Sequence, residues 1–125
     1  RFPLLAERRG QRAGSLSGGQ RQILALAMAL IARPTLVLMD EPTAGLSPKA
    51  AQEALALVRE IAAEGVSVLL VEQNARAALR IADRGVVLAD GRVAHEGPGA
   101  ALLSDPAIGA IYLGARPTAP AEASA

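Results

Sequence analysis

An apolar run that ends in two carboxylates constrains the fold of this chain more than any other feature. Leu36–Met39 is apolar without alternation, as expected of a strand covered by helices on both faces, and Asp40 and Glu41 follow it directly. Ahead of this run, Gly18–Ala32 carries apolar residues at helical spacing, and Arg33–Pro34 ends the helix because a residue before proline avoids the α region. A helix that leads into a buried strand predicts an α/β architecture.

The same alternation continues along the chain. Ser47–Pro48 supplies a capping residue and a first-turn proline for a second helix, and Gly65 stands where a C-terminal glycine belongs. Val66–Val71, apolar apart from Ser67, predicts a second buried strand, so the order of strand, helix and strand predicts parallel pairing through a right-handed crossover. Asp90–Gly91 is a preferred two-residue turn and predicts a hairpin. The other predicted elements are a helix at 75–82, hairpin strands within 86–94, and helices at 98–103 and 106–113.

Composition narrows the class of protein. The chain has 125 residues, enough for one core, and with 51% hydrophobic but only 2% aromatic residues that core consists of aliphatic side chains, which favours helices packed on a sheet. The absence of cysteine excludes disulfides and thiolate metal sites, and a net charge of +1 does not indicate a nucleic-acid partner. The longest apolar run, Ile23–Ala32, is about half of a bilayer span, which predicts a soluble protein.

Leu16–Gln20, which reads LSGGQ, has the features of an anion site. Ser17 can cap the helix that starts behind it, which leaves free backbone N–H groups and the positive end of the helix dipole pointing outward. Gly18 and Gly19 remove two consecutive Cβ atoms, so a large anionic group can approach the backbone closely. A helix start of this kind predicts a phosphate-binding site.

The acidic pair after the first strand is the second candidate site. A carboxylate at the C-terminal end of a parallel strand lies in the crevice where open α/β sheets bind ligands. Asp40 can hold a hydrated Mg²⁺, which prefers one or two carboxylates together with phosphate oxygens. Glu41 can orient and deprotonate a water that attacks a phosphoryl group. The alternative interpretation is two surface acids in a connecting loop, and taken alone the pair favours it, because such pairs are common.

The two motifs together carry a resemblance to a known family. LSGGQ at Leu16–Gln20 and LVLMDEPT at Leu36–Thr43 resemble the signature and Walker B segments of ATP-binding cassette (ABC) ATPases, in the order and at the spacing of that family. The resemblance covers nearly everything from Phe2 to Leu113. It implies an α/β P-loop NTPase fold with a mostly parallel sheet flanked by helices, ATP hydrolysis as the activity, and ATP and Mg²⁺ as cofactors.

One motif of that family is missing. No G-x-x-x-x-G-K-[ST] loop occurs in the sequence, although the family has one ahead of its signature. The chain is therefore expected to be the C-terminal part of an ABC ATPase domain over residues 1–113, lacking the N-terminal P-loop half, with a disordered Ala/Pro-rich tail at 114–125. By itself it is expected neither to bind nor to hydrolyse ATP. Its sheet is expected to lack a neighbour, which leaves an exposed edge.

The resemblance implies a role for each motif residue. Asp40 would bind Mg²⁺ through water, and Glu41 would be the general base. The segment 44–47 stands at the family's D-loop, where Ser47 replaces the usual aspartate. The residues that would contact the γ-phosphate of an ATP held by the opposite cassette are Ser17, Gly18, Gly19 and Gln20.

Gln73 takes the place of the family's switch histidine, at the end of the second strand. Its amide can donate a hydrogen bond to a γ-phosphate but cannot titrate or carry a charge. The hypothesis is that Gln73 positions the γ-phosphate without proton transfer, and the alternative is a polar residue that caps the next helix. His95, the only histidine, lies beyond both strands and is assigned no role.

The later part of the chain is similar to the ATPases of branched-chain amino-acid importers, on the strength of VEQN at Val71–Asn74 and IYLG at 111–114. This similarity implies a peripheral protein on the cytoplasmic face of the membrane. Its implied partners are a second ABC ATPase subunit and transmembrane permease subunits, with no nucleic acid. Two alternatives remain: a soluble non-transport ABC protein, and a catalytically inert dimerisation or regulatory module. The near-neutral charge argues against the first, and intact Asp40, Glu41 and LSGGQ argue against the second.

Overall fold

A computed structural model describes residues 2–112, and every predicted helix and strand is present in it. The predicted tail at 114–125 lies outside the described residues. Although the length predicts one core, the contacts divide the chain into two compact units, one ending at Gln73 and the other beginning at Asn74. The elements are α1 (Pro3–Glu7), a 3₁₀ turn (Ala13–Ser15), α2 (Gly18–Ile31), β1 (Leu36–Asp40), α3 (Pro48–Ala63), β2 (Ser67–Val71), α4 (Ala75–Ile81), β3 (Arg84–Ala89), β4 (Arg92–Pro98), α5 (Gly99–Ser104) and α6 (Pro106–Tyr112).

The first unit is built on the parallel pair β1 and β2, and the α/β class and the parallel pairing predicted from the sequence are confirmed. The register runs from Leu36 opposite Ser67 to Asp40 opposite Val71. Helix α3 starts at the predicted cap, because the Ser47 hydroxyl accepts from the backbone N–H of the third helical residue at 3.3 Å. The buried stripe that this helix presents to the core consists of Leu55, Val58 and Ile61.

For the part of the chain that the structure describes, two predictions are wrong: that β1 is covered on both faces, and that β2 is a buried strand. Val37 is buried at 7% exposure, whereas Leu38 beside it is 68% exposed. Successive side chains of a strand point to opposite faces, and the helices of this unit cover only one of them. The open face is as apolar as the covered one, so the run Leu36–Met39 shows no alternation. The other large apolar residues on this open face are Leu36, Leu69 and Val71.

The second unit is built on the antiparallel hairpin of β3 and β4. The predicted turn is confirmed, since Asp90 (φ 50°) and Gly91 (φ 73°) both adopt the left-handed conformation that a tight two-residue hairpin requires. Val87 pairs with His95 and Leu88 with Val93, so the residue between those partners forms a bulge. A small core in this unit consists of Leu79, Leu102 and Ile108. Among the helices of residues 2–112, none combines the length and apolar character needed to cross a membrane.

Candidate active site

The end of β1 carries the acidic pair predicted from the sequence. Asp40 is the last residue of the strand and lies opposite Val71 in the parallel register. The Glu41 N–H donates to the Val71 carbonyl at 2.8 Å, so the chain stays paired with β2 one residue beyond the strand. Asp40 is exposed and Glu41 is half-buried. Both carboxylates therefore lie at the carboxyl-terminal ends of the two parallel strands, next to the residues that follow β2.

Gln73 contacts the second of these carboxylates. Its Nε2 donates to Glu41 Oε1 at 2.7 Å, a short hydrogen bond of the kind formed by charged acceptors. The alternative that Gln73 caps the next helix is wrong, because Asn74 holds that position and its Oδ1 accepts from the Ala77 N–H at 3.1 Å. The cap is supplied one residue later, which leaves the Gln73 amide to hold the Glu41 carboxylate.

The backbone of Glu41 is in an unusual conformation. Its φ of 47° lies in the left-handed region, which costs a residue with a Cβ about 1–2 kcal/mol. The Ala44 N–H donates to the Glu41 carbonyl at 3.0 Å, which closes a turn with Pro42 as its second residue. Strained residues of this kind persist only where their surroundings hold them, and they cluster at functional sites.

A second link between the same two segments has no counterpart among the roles predicted from the sequence. Glu72 Oε1 accepts hydrogen bonds from the Thr43 N–H at 3.0 Å and from the Thr43 hydroxyl at 2.7 Å. Both residues are half-buried. In the sequence, Glu72 is recognisable only as an acid directly after the second predicted strand, next to Gln73. Its contact with Thr43 depends on the register of β1 and β2.

Helix α2 begins as predicted, with Ser17 as its cap. The Ser17 Oγ accepts from the Gln20 N–H at 3.3 Å, and the Gln20 Oε1 accepts from the Ser17 N–H at 2.9 Å. This reciprocal pair is a capping box, which the spacing of Ser and Gln in the motif indicates. The Arg21 guanidinium also donates to the Leu16 carbonyl at 2.7 Å. The backbone around LSGGQ is therefore held by its own side chains.

The two glycines of this motif also serve packing. A Cβ on Gly18 would lie 3.4 Å from Leu46 Cδ2, and a Cβ on Gly19 would lie 3.1 Å from the Ala50 Cβ. The second distance is tighter than ordinary van der Waals contact, so the start of α2 approaches the start of α3 as closely as it does because Gly19 has no side chain.

The chain is similar in sequence to known ABC proteins. A family model described as ABC transporter matches residues 2–44. The high-affinity branched-chain amino acid transport ATP-binding protein BraG of Pseudomonas aeruginosa is 49% identical over 113 residues, which cover 90% of this chain and 48% of BraG. The chain belongs to the ABC ATPase family. The lipopolysaccharide export system ATP-binding protein LptB of Acidithiobacillus ferridurans is 39% identical over 100 residues, 80% of this chain and 42% of LptB. The chain spans about half the length of these ABC relatives.

Solved ABC cassettes share the fold. A nucleotide-free cassette from an ABC transporter superimposes with a TM-score of 0.75 at 32% identity, covering 86% of this chain and 44% of that cassette. A dimeric cassette in a post-hydrolysis state, bound to ADP and phosphate, superimposes with a TM-score of 0.59 at 34% identity. The match covers 68% of this chain and 37% of that cassette. The predicted resemblance and the predicted P-loop NTPase fold are thereby confirmed.

Four motif residues of this ABC chain form two hydrogen-bonded pairs. Glu41 and Gln73 form one pair, and Ser17 and Gln20 form the other. Within residues 2–112 no hydrogen bond joins the two pairs. The roles predicted for the signature residues, the general base and the switch position remain predictions.

Asp40 is the residue of this ABC chain predicted to hold Mg²⁺. Residues 2–112 contain no group of three or more His, Cys, Asp or Glu side chains able to hold a metal ion by themselves. A single exposed carboxylate fits Mg²⁺ all the same, because this ion keeps several waters and is commonly bound by one or two carboxylates plus substrate phosphates. The donor set therefore suits a cation that arrives with a nucleotide.

The close contact between Gly19 and Ala50 leads to a stability prediction. Replacing Gly19 by Ala is expected to lower the free energy of unfolding by about 1–3 kcal/mol, because the new Cβ overpacks the α2–α3 contact. In an Ala50→Gly background the same replacement is expected to cost less than about 0.5 kcal/mol, since the opposing methyl group is gone. Urea unfolding gives the free energy of unfolding of the unaltered protein, of Gly19→Ala, of Ala50→Gly and of the double variant.

Gly14→Ala is the matched control, because a Cβ at Gly14 meets nothing within 4 Å. It is expected to change the unfolding free energy by less than about 0.5 kcal/mol. If Gly19→Ala lowers the free energy of unfolding equally in both backgrounds, the packing role is contradicted. The close approach of an anionic ligand would then be the remaining reason for a glycine at this position.

Proposed function

We propose that this chain is part of the ATP-binding subunit of an ABC importer, which couples ATP hydrolysis to the uptake of branched-chain or related amino acids. The observation that carries the proposal is the hydrogen bond between Gln73 Nε2 and Glu41 Oε1 at 2.7 Å, formed at the carboxyl ends of two parallel strands. That edge is where open α/β sheets bind their ligands. An oriented carboxylate at this position is suited to activating water.

Glu41 acts as the general base in this proposal. Its carboxylate takes a proton from the water that attacks the γ-phosphorus, while the amide of Gln73 fixes the orientation of the carboxylate. Because a primary amide is neutral at every relevant pH, Gln73 cannot compete for that proton. Mg²⁺ held at Asp40 through water would neutralise charge that develops on the phosphate oxygens.

The signature residues act on a nucleotide of a second cassette. The start of α2 presents backbone N–H groups that are well suited to an anion, and the capping box keeps Ser17 and Gln20 in place. A dimeric relative with bound ADP and phosphate supports a paired arrangement. The proposed partners are a second ABC ATPase subunit and transmembrane permease subunits, and the permease would hold the protein at the cytoplasmic face of the membrane.

Transport by the complete protein tests the proposal; by complete protein we mean a cassette that contains this chain together with a phosphate-binding loop. Reconstituted with its permease and binding protein in vesicles, it is expected to take up labelled leucine, isoleucine or valine only with MgATP. Labelled thiamine is the control substrate and is expected not to enter. Hydrolysis without amino-acid uptake would contradict the assigned substrate, and no Mg-dependent hydrolysis would contradict the ATPase.

A further inference from the structure

Glu72, the first residue after β2, links the end of that strand to the turn that contains Glu41. A single carboxylate oxygen of Glu72 accepts from two donors of one residue, the Thr43 N–H at 3.0 Å and the Thr43 hydroxyl at 2.7 Å. Two donors that converge on one oxygen fix both the backbone and the side chain of Thr43. Because Glu72 follows β2 directly, it holds Thr43 relative to the sheet.

What this contact holds is the turn of residues 41–44. Glu41 begins the turn in a left-handed conformation, and Thr43 is its third residue. Two further bonds fix the other end, from the Glu41 N–H to Val71 and from the Gln73 amide to the Glu41 side chain. Released at Thr43, the backbone of Glu41 is free to relax toward the commoner φ < 0 regions. Such a relaxation is expected to rotate the Glu41 side chain away from the position in which it accepts from Gln73.

We propose that Glu72 is a positioning residue for the general base: through Thr43 it holds the left-handed backbone of Glu41, and so keeps the Glu41 carboxylate aimed at the attacking water. This inference rests on the proposed ATPase function. Glu72 and Gln73 then divide the task, since Gln73 holds the head of the Glu41 side chain and Glu72 holds the backbone behind it.

The geometry predicts which substitutions retain the contact. Glu72→Gln keeps a carbonyl oxygen that can accept from both donors, so it preserves the link without the charge. Thr43→Ser keeps the hydroxyl, whereas Thr43→Val removes it at nearly constant shape and leaves only the N–H bond. Glu72→Ala removes both bonds.

Steady-state ATP hydrolysis by the complete protein tests this role. Glu72→Ala is expected to lower kcat by about 10- to 100-fold with KM for ATP within about 2-fold, because the base is misplaced while nucleotide binding is left intact. Glu72→Gln is expected to retain kcat within about 3-fold. Thr43→Val is expected to lower kcat by about 3- to 10-fold and Thr43→Ser not to change it.

A double substitution adds a test of the route. If Glu72 acts through Thr43, Glu72→Ala combined with Thr43→Val is expected to be no worse than Glu72→Ala alone. Glu53→Ala is the control, because Glu53 is an exposed carboxylate on α3 that contacts Lys49 only at 4.0 Å. It is expected to leave kcat unchanged.

The outcomes separate this inference from the function on which it rests. Without hydrolysis by the unaltered protein, the proposed function and this inference both fail. Hydrolysis that is lost in Glu41→Gln but unchanged in Glu72→Ala overturns the positioning role alone. Loss in Glu72→Ala that Glu72→Gln does not restore overturns it as well. Should Glu72→Ala not fold, the comparison of Thr43→Val with Thr43→Ser decides, and equal kcat values overturn the proposal.

Discussion

Replacing Glu41 by Gln in the complete protein is expected to lower kcat for ATP hydrolysis by about two to four orders of magnitude, the usual contribution of a general base. Shape and hydrogen bonding are nearly conserved, because the Oε1 of the new amide can still accept from Gln73 Nε2. The substitution therefore removes proton acceptance and little else. Nucleotide binding is expected to persist, so the ATP-bound dimer accumulates.

Two measurements check this outcome. Phosphate release gives kcat, and size-exclusion chromatography with MgATP is expected to show a stable dimer for Glu41→Gln but not for the unaltered protein. Glu53→Gln makes the same chemical change at an exposed position of α3 and is expected to behave like the unaltered protein. If kcat of Glu41→Gln lies within about threefold of that of the unaltered protein, the assignment of Glu41 as the general base is contradicted.

Gln73→Ala is expected to lower kcat by about 10- to 100-fold, because it removes the donor that fixes the Glu41 carboxylate. KM for ATP is expected to change little if Gln73 acts only through Glu41. Gln52→Ala is the control, since Gln52 is exposed on α3, and it is expected to retain full activity. An unchanged kcat in Gln73→Ala would contradict a role for Gln73 in hydrolysis.

A double substitution distinguishes the two roles open to Gln73. If the amide acts through Glu41, adding Gln73→Ala to Glu41→Gln changes neither the residual turnover nor the affinity for ATP. If the amide instead contacts the γ-phosphate, as its place in the motif predicts, the double variant binds ATP more weakly than Glu41→Gln does. Equilibrium titration with a fluorescent ATP analogue measures that difference.

Local chemistry made much of the fold predictable. Ser17 and Ser47 cap their helices through bonds to residues only three positions away, and Asp90–Gly91 closes its hairpin by its own backbone preferences. Such features are decided within a few residues. The sequence therefore indicated where helices start and where the hairpin turns without any knowledge of tertiary contacts.

Features that depend on distant contacts could not be predicted in the same way. The exposed face of β1 is apolar like the covered face, so the residues of Leu36–Met39 contain no sign of which face packs. The Gln73–Glu41 bond joins positions that meet only through the pairing of β1 with β2. The left-handed φ of Glu41 has no local signal, because glutamate has no preference for that conformation.

The in-register pairing of β1 with β2 determines where the chain length can vary. Asp40 lies opposite Val71, and Gln73 reaches Glu41 from two residues further along. Deleting one residue within Ser67–Val71 would shift the later side chains of that strand to the opposite face and is expected to carry Gln73 away from the Glu41 carboxylate. Surface connections such as the one around Gly65 tolerate added residues far better. Length changes in related sequences are therefore expected to fall between these strands rather than within them.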